Sequence, residues 1–397
     1  MKKSILFVSH ALELGGVERA LLSLLEALNT EKYDVDLFLL RQQGELLQKI
    51  PSHIHLLPEI CPYTCLAQPF FDTLKKKQIG VALGRATGKY MAKRFRSALP
   101  SSVESGVALE YSHKYTKIFM PQISQKTYDL AVSFLTPHYF VAEKVRARKK
   151  AAWIHTDYAA LSINTKSERS MWAAYDYIVS ISDRCTQSFL GCFPSLEGRI
   201  VQIENLLSPH LIRQEAGENT APEMNIPGIK LLSVGRFCAA KNFDNVPDLC
   251  RRLRQQGLDV HWFLIGYGGD EVLIRSKIAE TGMSDHVSIL GKRSNPYPYI
   301  AACDLYVQPS RYEGNCVSVH EAQILEKPVV ITRYATSASQ LEDGADGVIV
   351  PMDNEGCAAG IAALLRDPAQ MARLAQTCSQ RDYSNRQEVK KLYQMLE

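Results

Sequence analysis

Two glutamates, Glu313 and Glu321, stand eight positions apart in the segment Pro309-Ser310-Arg311-Tyr312-Glu313-Gly314-Asn315-Cys316-Val317-Ser318-Val319-His320-Glu321-Ala322. They bracket a glycine-containing turn and the first turn of a helix, where unpaired N–H groups and the helix dipole favour phosphate oxygens. Glu313, in the loop, can accept hydrogen bonds from sugar hydroxyls. Glu321, about one helical turn inward, can reach a ribose diol. The competing arrangement is plain helix capping with Glu321 exposed. A second group follows an apolar run ending at Val234: Gly235-Arg236, then Lys241. Two cations beside a glycine that lets the backbone come close suit a diphosphate, although Gly-Arg pairs are more often surface turns. A third, Gly266-Tyr267-Gly268-Gly269-Asp270, frees the backbone for a ligand or a tight turn. It is not GxGxxG and lacks the acidic partner of a dinucleotide fingerprint, which argues against a dinucleotide-dependent oxidoreductase.

These groups need elements to hold them. Ser4–Val8 is a short β-favouring run followed by Ser9-His10 and a loop with Gly15-Gly16. Val17, Ala20, Leu21, Leu24, Leu25 and Leu28 then recur with the period of one helical face. Val35–Leu40, Asp129–Phe134, Ala151–Ile154 and Tyr177–Ser180 supply further strands. In the second half the pattern predicts strands at Lys230–Val234, Trp262–Ile265, Val287–Leu290, Leu305–Gln308, Val329–Thr332 and Val348–Val350. Helices are predicted near Asn245–Gln256, Glu271–Glu280 and Val317–Leu325. Strands alternating with helices imply parallel sheets covered on both faces, with ligands beyond the carboxyl ends of the strands. Gln214 to Gly228, less apolar, reads as a linker or edge loop between two similarly built halves.

A chain of 397 residues with 46% apolar content is long enough for two globular α/β domains. Ten scattered cysteines, without a CxxC pair or zinc spacing, are expected to be free thiols, mostly in the core. No apolar run reaches a membrane span, and the start is too short for a secretory signal, so a cytoplasmic protein is expected, peripheral at most. Residues 1–207 carry 26 Lys and Arg against 19 Asp and Glu, and the remainder 20 against 23. Much of the excess lies between Thr73 and Val103, where eight cations (Lys75, Lys76, Lys77, Arg85, Lys89, Lys93, Arg94 and Arg96) occur without a carboxylate. Residues 75–96 therefore suit an anionic membrane surface, or else form a solvated insertion. Nucleic acid is disfavoured, because no groove-reading motif accompanies the charge.

Taken in order, these pieces resemble the family 4 glycosyltransferases. Gly15-Gly16-Val17-Glu18-Arg19 is similar to that family's N-terminal glycine loop, Val234-Gly235-Arg236 with Lys241 to its phosphate-binding strand end, and Glu313 with Glu321 to its E-x7-E signature. Ile265-Gly266-Tyr267-Gly268, Leu290-Gly291, Asp304-Leu305-Tyr306-Val307 and Pro328-Val329-Val330 extend the likeness over about residues 229–351, and residues 1–30 also match. Glu326 and Gln340 depart from the usual glycine and glutamate.

The resemblance implies a GT-B fold: two doubly wound Rossmann-like domains facing a central cleft, about residues 1–207 and 208–379, with a C-terminal helix at about 380–397 a candidate to pack back on the first. It further implies a hexosyltransferase-type enzyme that retains anomeric configuration, takes a nucleotide-diphospho-sugar, and uses no metal or other cofactor. By that resemblance Arg236 and Lys241 neutralise the leaving diphosphate, Glu313 holds the sugar and Glu321 the ribose. Gly235, Gly266, Gly314 and the amides of Asn315, Cys316 and Val317 line the donor. Gly15 and Gly16 approach the diphosphate from the other domain, and His155 faces the sugar. The acceptor would be a glycan or lipid-linked glycan of a bacterial surface polysaccharide or glycolipid. A sugar-nucleotide epimerase of the same fold and a non-catalytic nucleotide-sugar binding protein remain as alternatives. The sugar, the base and the oligomeric state stay open.

Overall fold

Seven strands form the first sheet: Lys3–Ser9 (β1), Tyr33–Leu39 (β2), His55–Leu56 (β3), Thr127–Ser133 (β4), Arg146–Ile154 (β5), Tyr177–Ser180 (β6) and Ile200–Gln202 (β7). They pair in the order β3-β2-β1-β4-β5-β6-β7, every pair parallel. Six more form the second sheet: Ile229–Val234 (β8), Val260–Ile265 (β9), Val287–Gly291 (β10), Leu305–Gln308 (β11), Val329–Thr332 (β12) and Val348–Val350 (β13). Their order is β10-β9-β8-β11-β12-β13, again all parallel. This computed structural model describes residues 2–13, 15–97, 106–135, 137–156, 158, 162–313 and 316–397.

Both sheets are buried on two faces, which is why their strands read as continuous apolar runs rather than alternating ones. Ile5, Leu6 and Phe7 in succession are fully buried in the first, as are Val329, Val330 and Ile331 in the second. The chain divides into two units, Met1–Leu206 with Asn385–Glu397, and Leu207–Ser384. The first and last residues of the second unit are joined, the Leu207 N–H donating to the Ser384 carbonyl at 2.9 Å. In the first unit the closing helix Val389–Gln394 stacks Tyr393 on Tyr33 at 4.5 Å, and Tyr393 Oη accepts from the Asn29 N–H at 2.8 Å.

One expectation is corrected in part. Gln214 to Gly228 is no linker: it lies inside the second unit, Gln214–Glu218 ends the helix Pro209–Glu218, and residues 219–228 form a loop around the short 3-10 turn Pro222–Met224. That helix starts at Pro209 and is capped by Ser208, whose Oγ accepts from the Leu211 N–H at 3.0 Å. The polar composition that suggested a linker belongs to the helix's exposed end and to the loop after it. The stretch 50–126, for which no helix was predicted, contains the helices Phe70–Lys75, Ile79–Arg96 and Val107–Thr116. The last two pack backbone to backbone through a stripe of glycines. A β-carbon at Gly84 would lie 2.7 Å from the Tyr115 carbonyl oxygen, and one at Gly88 2.8 Å from the Ser112 nitrogen. Apolar periodicity cannot reveal such a contact, because the packing residues have no side chain. Among the described residues no helix is long and apolar enough to cross a membrane.

Candidate donor site at the switch point of the second sheet

In a doubly wound sheet the crevice lies where strand order reverses, outside the carboxyl ends of the strands. Here that point falls between β8 and β11. The loop after β8 carries Gly235, Arg236 and Lys241, and the loop after β11 carries Glu313. Topology alone therefore brings together two motifs separated by about seventy residues of chain. Lys241 Nζ lies 2.6 Å from Glu313 Oε1 and 3.7 Å from Cys316 Sγ. Both charged side chains are largely buried, at 18% and 11% exposure. Burial alone would lower the Lys241 ammonium, but the Cys316 and Glu313 side chains beside it outweigh that and raise it. Lys241 is thus a fixed cation. Glu313 Oε1 also accepts from Ser310 Oγ at 2.6 Å, and Ser310 in turn is held by Gln308 Nε2 at 2.9 Å.

The two loops are stitched by residues that sequence reasoning passed over. Asn242 adopts a left-handed conformation (φ 60°) and donates from Nδ2 to the Pro309 carbonyl at 2.8 Å. Arg311 makes a bidentate pair with Asp244, at 3.0 and 2.9 Å, and its own N–H donates to the Ala240 carbonyl at 2.8 Å. An asparagine beside the lysine, at a position demanding positive φ, was the available signal. Gly235 has a role that its type explains: a β-carbon there would come within 3.2 Å of Lys241 Cε, so glycine leaves room for the lysine stem. Arg236 is exposed and makes no ion pair among the described residues.

Gly266 is required by close approach. A β-carbon on it would sit 1.8 Å from the Gly235 carbonyl oxygen, and one on Gly268 would sit 2.2 Å from that of Phe237. The ends of β8 and β9 are instead joined by backbone hydrogen bonds, Gly235 N–H to Ile265 O and Phe237 N–H to Tyr267 O, both 2.9 Å. The glycine cluster therefore supports the Gly235-Arg236 turn from beneath.

Beyond β11 the helix Val317–Ile324 opens at Cys316 with no side-chain cap. Gln340 takes up the Cys316 backbone instead: its Oε1 accepts from the Cys316 N–H at 2.7 Å and its Nε2 donates to the Cys316 carbonyl at 3.3 Å. The same Nε2 lies 3.1 Å from His320 Nε2. An amide can accept and donate at once, which a glutamate in this place cannot. Glu321, on the same helix, has its Oε1 oriented by the Tyr297 hydroxyl at 2.8 Å. Gly314 and Asn315 lie outside the described residues.

The remaining expected residues belong to the first unit. Gly15 precedes the helix Gly16–Ala27, and a β-carbon on it would meet Glu18 Oε2 at 2.2 Å, so the Glu18 carboxylate folds back over its own helix N-terminus. Gly16 has open space beside it. His155 lies just beyond β5 with its ring 4.6 Å from that of Phe134, and burial pushes it down to about 4, leaving it neutral at pH 7. It has companions that were not singled out. His10 follows β1 and is likewise held at about 4, by burial and then by Arg41. His113 and His138 are fully buried and lie well below the usual range, chiefly through burial. The His10 and His113 rings are 5.3 Å apart, and His138 Nδ1 is 2.7 Å from Ser133 Oγ. Ser9-His10 at a strand's carboxyl end carried the same signal as His155.

The fold is that of the GT-B class, two parallel-stranded Rossmann-like units, and solved structures of that class match it along its whole length. Anabaena Alr3699/HepE in complex with UDP and glucose is 16% identical with a TM-score of 0.60, covering 99% of each chain. S. aureus TarM, in complex with fondaparinux, alpha-GlcNAc-glycerol and UDP, is 14% identical with a TM-score of 0.62, covering 100% of each. Residues 221–381, which hold the Lys241–Glu313 pair, match the model of the glycosyl transferases group 1. Among curated proteins, the chain is 30% identical over 149 residues to the lipopolysaccharide core biosynthesis glycosyltransferase LpsE of Rhizobium meliloti, covering 37% of this chain and 42% of that protein. It is 28% identical over 152 residues to the alpha-D-kanosaminyltransferase of Streptomyces kanamyceticus (38% and 39%). A third, the Campylobacter jejuni N-acetylgalactosamine-N,N'-diacetylbacillosaminyl-diphospho-undecaprenol 4-alpha-N-acetylgalactosaminyltransferase, is 28% identical over 158 residues (39% and 42%). The chain thus matches about two fifths of the length of these relatives.

Proposed function

We propose that this protein is a retaining glycosyltransferase that moves a sugar from a nucleotide-diphospho-sugar to a hydroxyl of a glycan or lipid-linked acceptor, without a metal ion. The observation that carries the reading is the Lys241–Glu313 pair, 2.6 Å apart at the switch point of the second sheet, with the exposed Arg236 in the same loop as Lys241. Breaking the sugar–phosphate bond develops negative charge on the departing diphosphate. Cations fixed before the reaction stabilise that charge more in the transition state than in the ground state, and so lower the barrier. Lys241 and Arg236 take this role, with the first turn of the helix at Val317. Glu313 receives sugar hydroxyls, and Glu321, oriented by Tyr297, the ribose.

Retention follows if the acceptor hydroxyl attacks the anomeric carbon from the face the leaving group departs. The carbon–phosphate-oxygen bond breaks as the new carbon–oxygen bond forms, and a diphosphate oxygen takes the hydroxyl proton. No protein base is then required. The names of the relatives support a surface-glycan acceptor: one acts in lipopolysaccharide core synthesis and another on a diphospho-undecaprenol glycan. The basic helix Ile79–Arg96 supports work at an anionic membrane surface.

The test is incubation with UDP-, GDP-, ADP- and dTDP-sugars in the presence of a chelator, following thermal stabilisation and nucleoside diphosphate release. A bound donor raises stability by RT ln(1 + [L]/Kd). Stabilisation by one donor with chelator-insensitive release is expected; a response to none of them, or a product of inverted anomeric configuration, overturns the reading.

A further inference from the structure

Large exposed apolar side chains are not spread evenly over this protein. Nine of the fourteen found among the described residues (Phe70, Phe71, Leu74, Ile79, Leu83, Tyr90, Leu109, Ile118 and Phe119) lie within residues 70–119. That is about an eighth of the chain. The same stretch holds the eight cations that occur without a carboxylate between Thr73 and Val103. An exposed apolar patch rimmed by polar and charged groups marks a binding surface rather than chance exposure.

The structure gives this surface a shape. The helices Phe70–Lys75, Ile79–Arg96 and Val107–Thr116 enclose an open groove of about 1310 Å³. Its apolar lining comes from Leu66, Phe70 and Leu109, and Lys89, Lys93 and Arg96 line it as well, all three exposed. Arg85, also in the lining, is fixed by hydrogen bonds from Nη1 to the Cys65 carbonyl at 2.7 Å and to Thr73 Oγ1 at 2.9 Å. The contacts at Gly84 and Gly88 hold the two long helices together, so the groove does not depend on side-chain rearrangement to exist.

We propose that this groove binds a membrane-borne single-chain lipid phosphate, the carrier of the acceptor glycan. Lys89, Lys93 and Arg96 pair with the phosphate, and the chain carbons nearest to it lie along Leu66, Phe70 and Leu109. Charge complementarity selects an anionic head, and the volume, larger than a typical small-ligand pocket, selects an attached chain over a free phosphate. A flat leaflet would meet the exposed lysines without entering the groove. The inference rests on the lipid-linked acceptor reading above and narrows it to a chemical class and a place.

Flotation of the full-length protein with phosphatidylcholine vesicles tests it. One set contains a long-chain polyprenyl phosphate, and the other phosphatidylglycerol at equal charge. Binding roughly tenfold tighter to the polyprenyl phosphate set is expected, and Leu109→Glu or Lys93→Glu removes that preference. Both positions are exposed and neither belongs to the donor site, so stabilisation by a nucleotide-sugar stays unchanged and reports that the variants are folded. Equal binding to both sets assigns the segment to undifferentiated charge attraction and overturns the proposal, as does binding to neither. Selective lipid binding without any donor response sinks the glycosyltransferase reading and leaves the groove standing.

Discussion

The two units share an architecture but differ in how they hold polar groups near the carboxyl edge of their sheets. The second holds a salt bridge: Lys241 pairs with Glu313, whose Oε1 also accepts from Ser310. The first buries four imidazoles, His10, His113, His138 and His155, each kept neutral chiefly by burial. It also buries Glu168, raised to about 7 by burial, with Tyr158 Oη and Trp172 Nε1 each 3.2 Å from its Oε2. One edge keeps a charged pair and the other keeps neutral imidazoles, which under the proposed function would suit a diphosphate and hydroxyl groups respectively. A diphosphate needs fixed cations, whereas hydroxyls need only donors and acceptors.

The largest expected effect breaks the charged side. Lys241→Ala removes a fixed cation and leaves Glu313 buried without it, and turnover should fall by about 3–4 kcal/mol, or roughly a hundred- to a thousandfold. Single-turnover donor cleavage measures this, and near-normal turnover would refute the role of Lys241.

The neutral side is exposed to acid. His10 and His155 stand at about 4 against an ordinary 6.5, so between those values the unfolded chain binds protons that the folded chain does not. Stability is therefore present above 6.5 and lost as pH falls towards 4, by roughly 2 kcal/mol per imidazole between pH 7 and 5. Glu168 has the opposite sign: raised to about 7 from 4.5, it is protonated first in the folded state and returns about 2 kcal/mol over the same window. His113 and His138 add to the loss, so the first unit should weaken on acidification. Hydrogen exchange at pH 7 and 5 can resolve the units, and an unchanged first unit would contradict the neutral-imidazole account.

Smaller effects sharpen the contrast. Gly266→Ala drives a β-carbon against the Gly235 carbonyl and should cost about 1–3 kcal/mol in urea unfolding, with loss of donor binding. Gln340→Glu keeps the acceptor for the Cys316 N–H but loses the donor to the Cys316 carbonyl, a change of about 1 kcal/mol. It should appear in donor KM more than in melting temperature.

The units also differ in how far they could be read without coordinates. In the second, the strand Leu305–Gln308 and the helix Glu271–Glu280 have the bounds their patterns predicted, and β8 begins one residue earlier, at Ile229. A phosphate site constrains local backbone, so glycines, cations and carboxylates appear at short fixed spacings. In the first, β1, β4, β5 and β6 were legible, but the short edge strands β3 and β7 were not, nor were the helices of the 50–126 stretch. Their seam is Gly84 and Gly88 against backbone, which leaves no hydrophobic period to follow. The Gln214–Gly228 stretch misled in part, since an exposed helix end followed by a surface loop has a linker's composition.

The sequence by itself determined the parallel α/β class, the order of strands and helices in the second half, and the cations and carboxylates around Arg236, Lys241, Glu313 and Glu321. Each depends on residue type and near neighbours. Only the tertiary structure decided that Lys241 and Glu313 form one pair, that Gln340 holds the Cys316 backbone, and that four histidines share one edge of the first sheet. Those outcomes depend on strand order, which joins residues far apart in the chain, and on burial, which sets their charge.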